Sequence, residues 1–235
     1  MATYVDTTST KERNRLLSAS FGWMFLGLVI TAVVAFGTVG ILTLGLNGAN
    51  PELALSKYLW LLVGSGIFQI ILIIYIQFRV FRHGGDANIL VPYILYTANM
   101  GLMLSTLILT YELETLGIAF GLTAGVFGIM ALYARYTKRN LSGVGLVGIG
   151  LFFGSIILML INIFMRSTQI MWIVSFVSFG AVMLITMYDV WRITKISESG
   201  VESRNLALYF ALNLYVDFIY LFMRILQFVA IARNR

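Results

Sequence analysis

Residues 206–231 read LALYFALNLYVDFIYLFMRILQFVAI. The run Leu206–Ile231 is apolar and long enough to cross a bilayer as a helix, which takes about 20 residues. Two ionisable residues interrupt it, Asp217 near the middle and Arg224 seven residues on. A charge at that depth costs a few kcal/mol or more unless it meets a partner or water. At about 100° per residue, Asn213, Asp217, Tyr220 and Arg224 fall on one narrow polar stripe, so that stripe faces protein and not lipid. One other acid lies within a hydrophobic run, Asp189 at the end of the preceding one. The rest of the chain reads as a scaffold that brings Asp189 and Asp217 together.

Six further runs have spanning length: Phe21–Leu44, Tyr58–Phe78, Ile89–Leu109, Leu116–Tyr133, Val144–Phe164 and Ile170–Val190. Backbone groups in lipid must be satisfied within the segment, so all are expected to be helices. Barrel strands would be about half as long and would alternate, and these do not. The expected fold is an all-α polytopic membrane protein of seven transmembrane helices, with the last, Asp-bearing helix central to the bundle. Residues 1–20 form an N-terminal arm, 21–231 the transmembrane domain and 232–235 a short tail. The first run is too long for a signal-peptide core and is expected to be retained. Of the 235 residues, 60% are hydrophobic and only 11% charged, which leaves almost no length for a soluble domain.

Charge placement gives an expected orientation. Eleven Lys and Arg fall on one side: Lys11, Arg13, Arg15, Arg79, Arg82, Arg135, Lys138, Arg139, Arg192, Lys195 and Arg204. Lys57, Arg166, Arg233 and Arg235 fall on the other. The positive-inside rule then places the N-terminus in the cytoplasm and the C-terminus outside, provided the last run crosses fully and is not a re-entrant hairpin. The same topology accounts for the net charge of +6 without nucleic acid.

The chain has no cysteine and a single histidine, His83, in a connecting segment. Disulfides and thiolate metal sites are excluded, and a His-based site is disfavoured. Two buried carboxylates suit an aspartyl protease, a proton-linked transporter or an ion pathway with a protonation switch. Met187-Tyr188-Asp189 resembles the first motif of presenilin-type proteases, but no glycine precedes Asp217 and their Pro-Ala-Leu motif is absent. Gly64-Ser65-Gly66 has no histidine base within a span. No enzymatic activity is expected. Ser175 and Ser178 lie on roughly the face of Asp189 and form a polar seam or simply bond their own backbone. Gly121, Gly125, Gly128, Gly143, Gly145, Gly148, Gly150 and Gly154 read as allowing close helix approach. Arg224 lies too far along the helix to pair with Asp217 and is expected to snorkel or to meet another acid such as Glu52 or Glu112.

Leu214-Tyr215-Val216-Asp217-Phe218-Ile219-Tyr220-Leu221-Phe222 resembles the LYLDFINLF signature of the Bax inhibitor-1 (TMBIM) family. Tyr188-Asp189 is similar to that family's Tyr-Asp pair, Asn162-Ile163-Phe164 to a pattern in its fifth span, and Gly27-Leu28-Val29-Ile30-Thr31-Ala32 to its first. Trp191 and Tyr220 depart from the usual polar residues. The resemblance, to a prokaryotic-type member, implies a plasma-membrane protein that leaks Ca²⁺ down its gradient in a pH-sensitive way. It implies that Asp189 and Asp217 form a hydrogen-bonded pH sensor, with Arg79 or Arg82 as a latch. Ca²⁺ is then the permeating ion, with protons and lipid as the other partners. No cofactor, tight metal site or nucleic acid is expected; protein partners are open. A dense oxygen cluster of the kind tight Ca²⁺ sites use is lacking, as permeation requires. The competing readings are a regulatory membrane protein acting through helix partners and a proton-coupled transporter of a small solute.

Overall fold

The computed structural model describes residues 15–48, 50–84, 87–201 and 203–233. Among these residues seven helices follow one another: α1 (Arg15–Leu46), α2 (Pro51–His83), α3 (Leu90–Thr110), α4 (Leu113–Tyr136), α5 (Ser142–Met165), α6 (Thr168–Glu198) and α7 (Arg204–Arg233). Each is long and apolar enough to cross a membrane, matching the seven expected spans.

The helices run past the apolar stretches that announce them. α2 has 33 residues, or roughly 50 Å at about 1.5 Å per residue, against a hydrocarbon core of about 30 Å. The helix therefore continues where the sequence turns polar, because backbone hydrogen bonding does not stop at the membrane surface. Lys57, Arg79, Arg82, His83 and Arg192, expected in connections, sit on helices. The N-terminal arm is already helical from Arg15, while residues 1–14 and 234–235 lie outside the described residues. Pro51 opens α2 at a position where its missing N–H is not needed. Gly84 closes it at φ 57°, in the left-handed region that a glycine tolerates.

α7 is one uninterrupted helix of 30 residues, so the re-entrant hairpin is ruled out. It is also the most enclosed: 44% of its most apolar window is buried, against 17–33% in the other six helices.

The chain divides into two compact units, and α7 contributes to both. The described residues of 19–116 and 203–212 form the first. Within it α1 and α3 meet at two glycines. The fully buried Tyr93 occupies the space that a side chain at Gly27 would need, and its hydroxyl donates to the Trp23 carbonyl at 2.5 Å. A Cβ on Gly101 would lie 2.5 Å from the Thr31 carbonyl oxygen, so the backbones touch there. Polar groups are paired across helices, as a dry interior demands. Asn99 Nδ2 donates to Ser65 O at 2.9 Å and to Gln69 Oε1 at 2.5 Å, and Gln69 Nε2 reaches Tyr96 O at 3.4 Å.

The second unit comprises the described residues of 15–18, 117–201 and 213–233. α5 and α6 form its tightest pair, joined by Arg166 and Ser167 alone. Arg166 is left-handed (φ 49°, ψ 34°) and caps α5 through its N–H to Asn162 O at 2.8 Å. The Asn162 side chain then accepts from Ser167 N at 2.9 Å, which fixes the turn. Gly145 accommodates the Tyr188 ring, and Gly148 lies against the Ala181 carbonyl. Gly121, Gly125, Gly128, Gly143, Gly150 and Gly154 face open space instead, so only two of the eight glycines expected to bring helices close do so.

Candidate functional site

The site is built where α6 meets α7 inside the second unit. α6 presents Thr186 and Asp189, one helical turn apart and therefore on one face. α7 presents Asp217, which is buried with 8% of its surface exposed. Its surroundings are apolar. Leu214 and Leu221 on α7 and Val190 and Ile193 on α6 are fully buried. Phe218, the next residue, lies edge-on to Phe120 and Phe127 of α4, at 5.4 and 5.5 Å between ring centroids.

Thr186 is the α6 side chain whose hydroxyl acts on the Asp217 carboxyl, and the Asp217 Oδ2 atom has no hydrogen-bond partner among the described residues. Thr186 Oγ1 also lies 2.8 Å from Val182 O, the carbonyl one turn back. A hydroxyl carries one proton. While that proton goes to Val182, Thr186 can only accept, and Asp217 must be a carboxylic acid to bond it. When Asp217 is ionised, Thr186 must turn its proton away from the helix and toward the carboxylate. The hydroxyl thus takes a different position in each protonation state.

Asp189 is half-buried on α6, and its charge acts on Asp217 through space. No direct hydrogen bond joins the two aspartates among the described residues. Arg192, exposed and three residues along α6, is the cation whose charge reaches Asp189. Thr186 and Arg192 are site residues that the sequence reading did not single out. Their signal was positional: each is one turn from Asp189, on its own helix.

Arg79 and Arg82 belong to the first unit, in the last two turns of α2. Arg79 donates from Nη1 to Tyr75 Oη at 2.6 Å, and its guanidinium lies 5.9 Å from that ring's centroid. Arg82 is exposed.

The rest of the α7 stripe is explained by Arg224. It donates from Nη2 to Tyr220 Oη at 2.9 Å, and from Nη1 to Ser175 Oγ at 3.3 Å and Gln227 Oε1 at 3.2 Å. All these acceptors are uncharged and lie within its own unit. The expected acid partner, Glu52 or Glu112, is replaced by a tyrosine, a serine and a glutamine. Tyr220 is held in turn by Phe152 of α5, edge-on at 5.6 Å. Asn213 is half-buried at the other end of the stripe. Ser178 bonds its own helix at Ser175 O, whereas Ser175 both donates to Met171 O and receives Arg224. No group of three His, Cys, Asp or Glu side chains converges as a metal site among the described residues.

The sequence of α7 and the spans around it match known proteins over nearly the whole chain. The family model described as "Inhibitor of apoptosis-promoting Bax1" matches residues 13–234. The "Inner membrane protein YbhL" of Escherichia coli (strain K12) is 32% identical over 213 residues, covering 88% of this chain and 87% of that protein. An uncharacterized protein of Borreliella burgdorferi is 29% identical over 245 residues, covering 98% and 99%. The uncharacterized protein YrjE of Lactococcus lactis is 28% identical over 221 residues, covering 93% and 92%. Seven membrane-spanning helices, the aspartate-bearing last helix and a full-length family match agree: the chain is an integral, multi-pass membrane protein that belongs to the Bax inhibitor-1 family.

Proposed function

We infer that the protein is a passive Ca²⁺ leak pathway of a prokaryotic plasma membrane, with its N-terminus in the cytoplasm and its flux set by the protonation of Asp189 and Asp217. The observation that carries this reading is the environment of Asp217: an acid buried in a transmembrane helix, with an oxygen that has no hydrogen-bond partner among the described residues and a second acid acting on it. Two carboxylates sharing a low-dielectric site resist ionising together. With one proton held by the pair, a single charge remains and the two acids do not repel each other. A second proton removes that charge, and loss of the last leaves two repelling anions. Either step loosens the α6–α7 contact, so the pair acts as a pH-dependent gate, with Arg79 or Arg82 as a latch. Protons and Ca²⁺ are the partners in this reading, lipid is the setting, and no cofactor or catalytic step is involved.

The test is a flux assay. Purified protein in liposomes is expected to pass Ca²⁺ down its gradient without ATP, in keeping with the absence of a glycine-rich phosphate loop ending in Lys. The rate is expected to change with pH over about pH 5 to pH 8, because charge on one acid disfavours charge on the other. Flux no greater than that of empty liposomes across that range would sink the leak reading and leave a regulatory protein acting through helix partners. Flux that requires a proton gradient and a second solute would identify a proton-coupled transporter.

A further inference from the structure

We propose that the cavity bounded by α5, α6 and α7 in the second unit binds the phosphate headgroup of an anionic phospholipid, with Arg224 as its anchor. The cavity has a volume of about 280 Å³. At about 30 Å³ per water that is the space of roughly nine waters, enough for a headgroup but not for a whole lipid. Asn162, Ser175, Arg224 and Gln227 supply its polar lining, and Trp172 and Phe228 its aromatic wall.

The polar lining has spare donors beside a cation. Gln227 Oε1 accepts from Arg224, Asn162 Oδ1 from the Ser167 N–H, and Ser175 Oγ from Arg224 while its own proton goes to Met171 O. Arg224 Nε also donates to Tyr220 Oη at 3.3 Å, so the donors left for a ligand are one Nη2 N–H of Arg224 and the amide NH₂ groups of Gln227 and Asn162. Arg224 forms no ion pair among the described residues, so its charge is uncompensated. A planar cation in a membrane helix, flanked by two spare amide donors, matches a phosphate oxygen pair. The guanidinium charge repels a cation such as Ca²⁺, which also needs several oxygen ligands at once.

The aromatic wall decides between a lipid and a soluble anion. Trp172, Phe176 and Phe228 stack in series: Trp172 to Phe228 at 6.3 Å and 9°, and Phe176 to Phe228 at 5.0 Å and 15°. Phe176 is 59% exposed and Met171 56%, so this apolar face opens sideways toward the bilayer, where an acyl chain would lie. The depth agrees. Arg224 stands nine residues before the end of α7, about 14 Å along the axis, and Asn162 three residues before the end of α5, so the cavity spans the zone below the helix ends.

The experiment uses the full-length protein in a non-ionic detergent, exposed to equal amounts of short-chain phosphatidylglycerol and phosphatidylcholine, with retained lipid counted by native mass spectrometry. Wild type is expected to retain the anionic lipid over the zwitterionic one by about tenfold. Arg224→Gln is expected to bring the two to parity. Gln227→Glu places a carboxylate beside the guanidinium and is expected to do the same while keeping the helix packing; it decides the matter if Arg224→Gln does not fold. Inorganic phosphate at the lipid's concentration is expected to leave the retained lipid unchanged. Equal retention of both lipids by wild type, or an undiminished preference in Gln227→Glu, overturns the proposal. Displacement by equimolar phosphate overturns the lipid assignment and makes this a soluble-anion site.

Discussion

Asp217 is buried in its unit, and its Oδ2 atom has no hydrogen-bond partner among the described residues. An unsatisfied buried polar atom costs about 1–3 kcal/mol, so its presence in a well-packed helix calls for a use. The use assigned to it above is titration together with Asp189. Asp217→Asn and Asp189→Asn are each expected to keep the fold and to flatten the pH profile of liposome flux, because an amide hydrogen-bonds without changing charge. If both variants kept the wild-type profile, the gate would have to lie elsewhere, at Glu52, Glu112, Glu114 or His83. Thr186→Val gives an independent check. It removes the hydroxyl that reports the protonation of Asp217, a bond worth about 1 kcal/mol, and is expected to displace the midpoint of the profile without flattening it. Combined with Asp217→Asn it should add no further displacement, since one titrating group serves both. An additive double mutant would separate Thr186 from the switch.

The helices meet at glycines, but mostly not at those that stand out in the sequence. Gly121, Gly125 and Gly128 make a conspicuous small-residue stripe on α4, yet a Cβ on any of them would meet nothing within 4 Å. Spacing shows where a close approach is allowed; the neighbouring helix decides where it happens. Gly101, alone among larger residues on α3, is where α3 touches the Thr31 backbone of α1. Backbone cannot step aside as a flexible side chain can. Gly101→Ala is therefore expected to force α1 and α3 apart and to cost about 1–3 kcal/mol, read as a fall in Tm in detergent. Gly64→Ala on α2 meets open space and serves as the control with no loss. A Gly101→Ala variant as stable as the Gly64→Ala control would show that the contact is slack.

At the scale of the whole molecule the expected orientation rests on charge: the sequence assigns eleven basic residues to one side and four to the other. With no native cysteine, single cysteines report topology directly. In intact cells Lys138→Cys and Ser199→Cys are expected to be protected from an impermeant thiol reagent, while Glu114→Cys and Arg233→Cys are labelled. Labelling at Lys138 with protection at Glu114 would invert the orientation. Protection at Arg233 with labelling at Glu114 would contradict the full crossing of the 30-residue α7.

Hydropathy alone determined the membrane class and the seven helices, because in lipid each segment must satisfy its own backbone and no tertiary partner is needed to choose helix over strand. The periodicity of α7 likewise determined that Asp217, Tyr220 and Arg224 share a stripe, and the conspicuous motif around Asp217 located the family. The partners of that stripe were decided only by the fold. No hydrogen bond joins Asp189 to Asp217 among the described residues, and Tyr220, Ser175 and Gln227 take Arg224 in place of an acid. Which residues of α6 meet α7 depends on the rotation and height of two helices, and these are set by contacts such as Gly145 under Tyr188 and Phe218 between Phe120 and Phe127. Such contacts join residues tens of positions apart, and the spacing along any single helix carries no record of them.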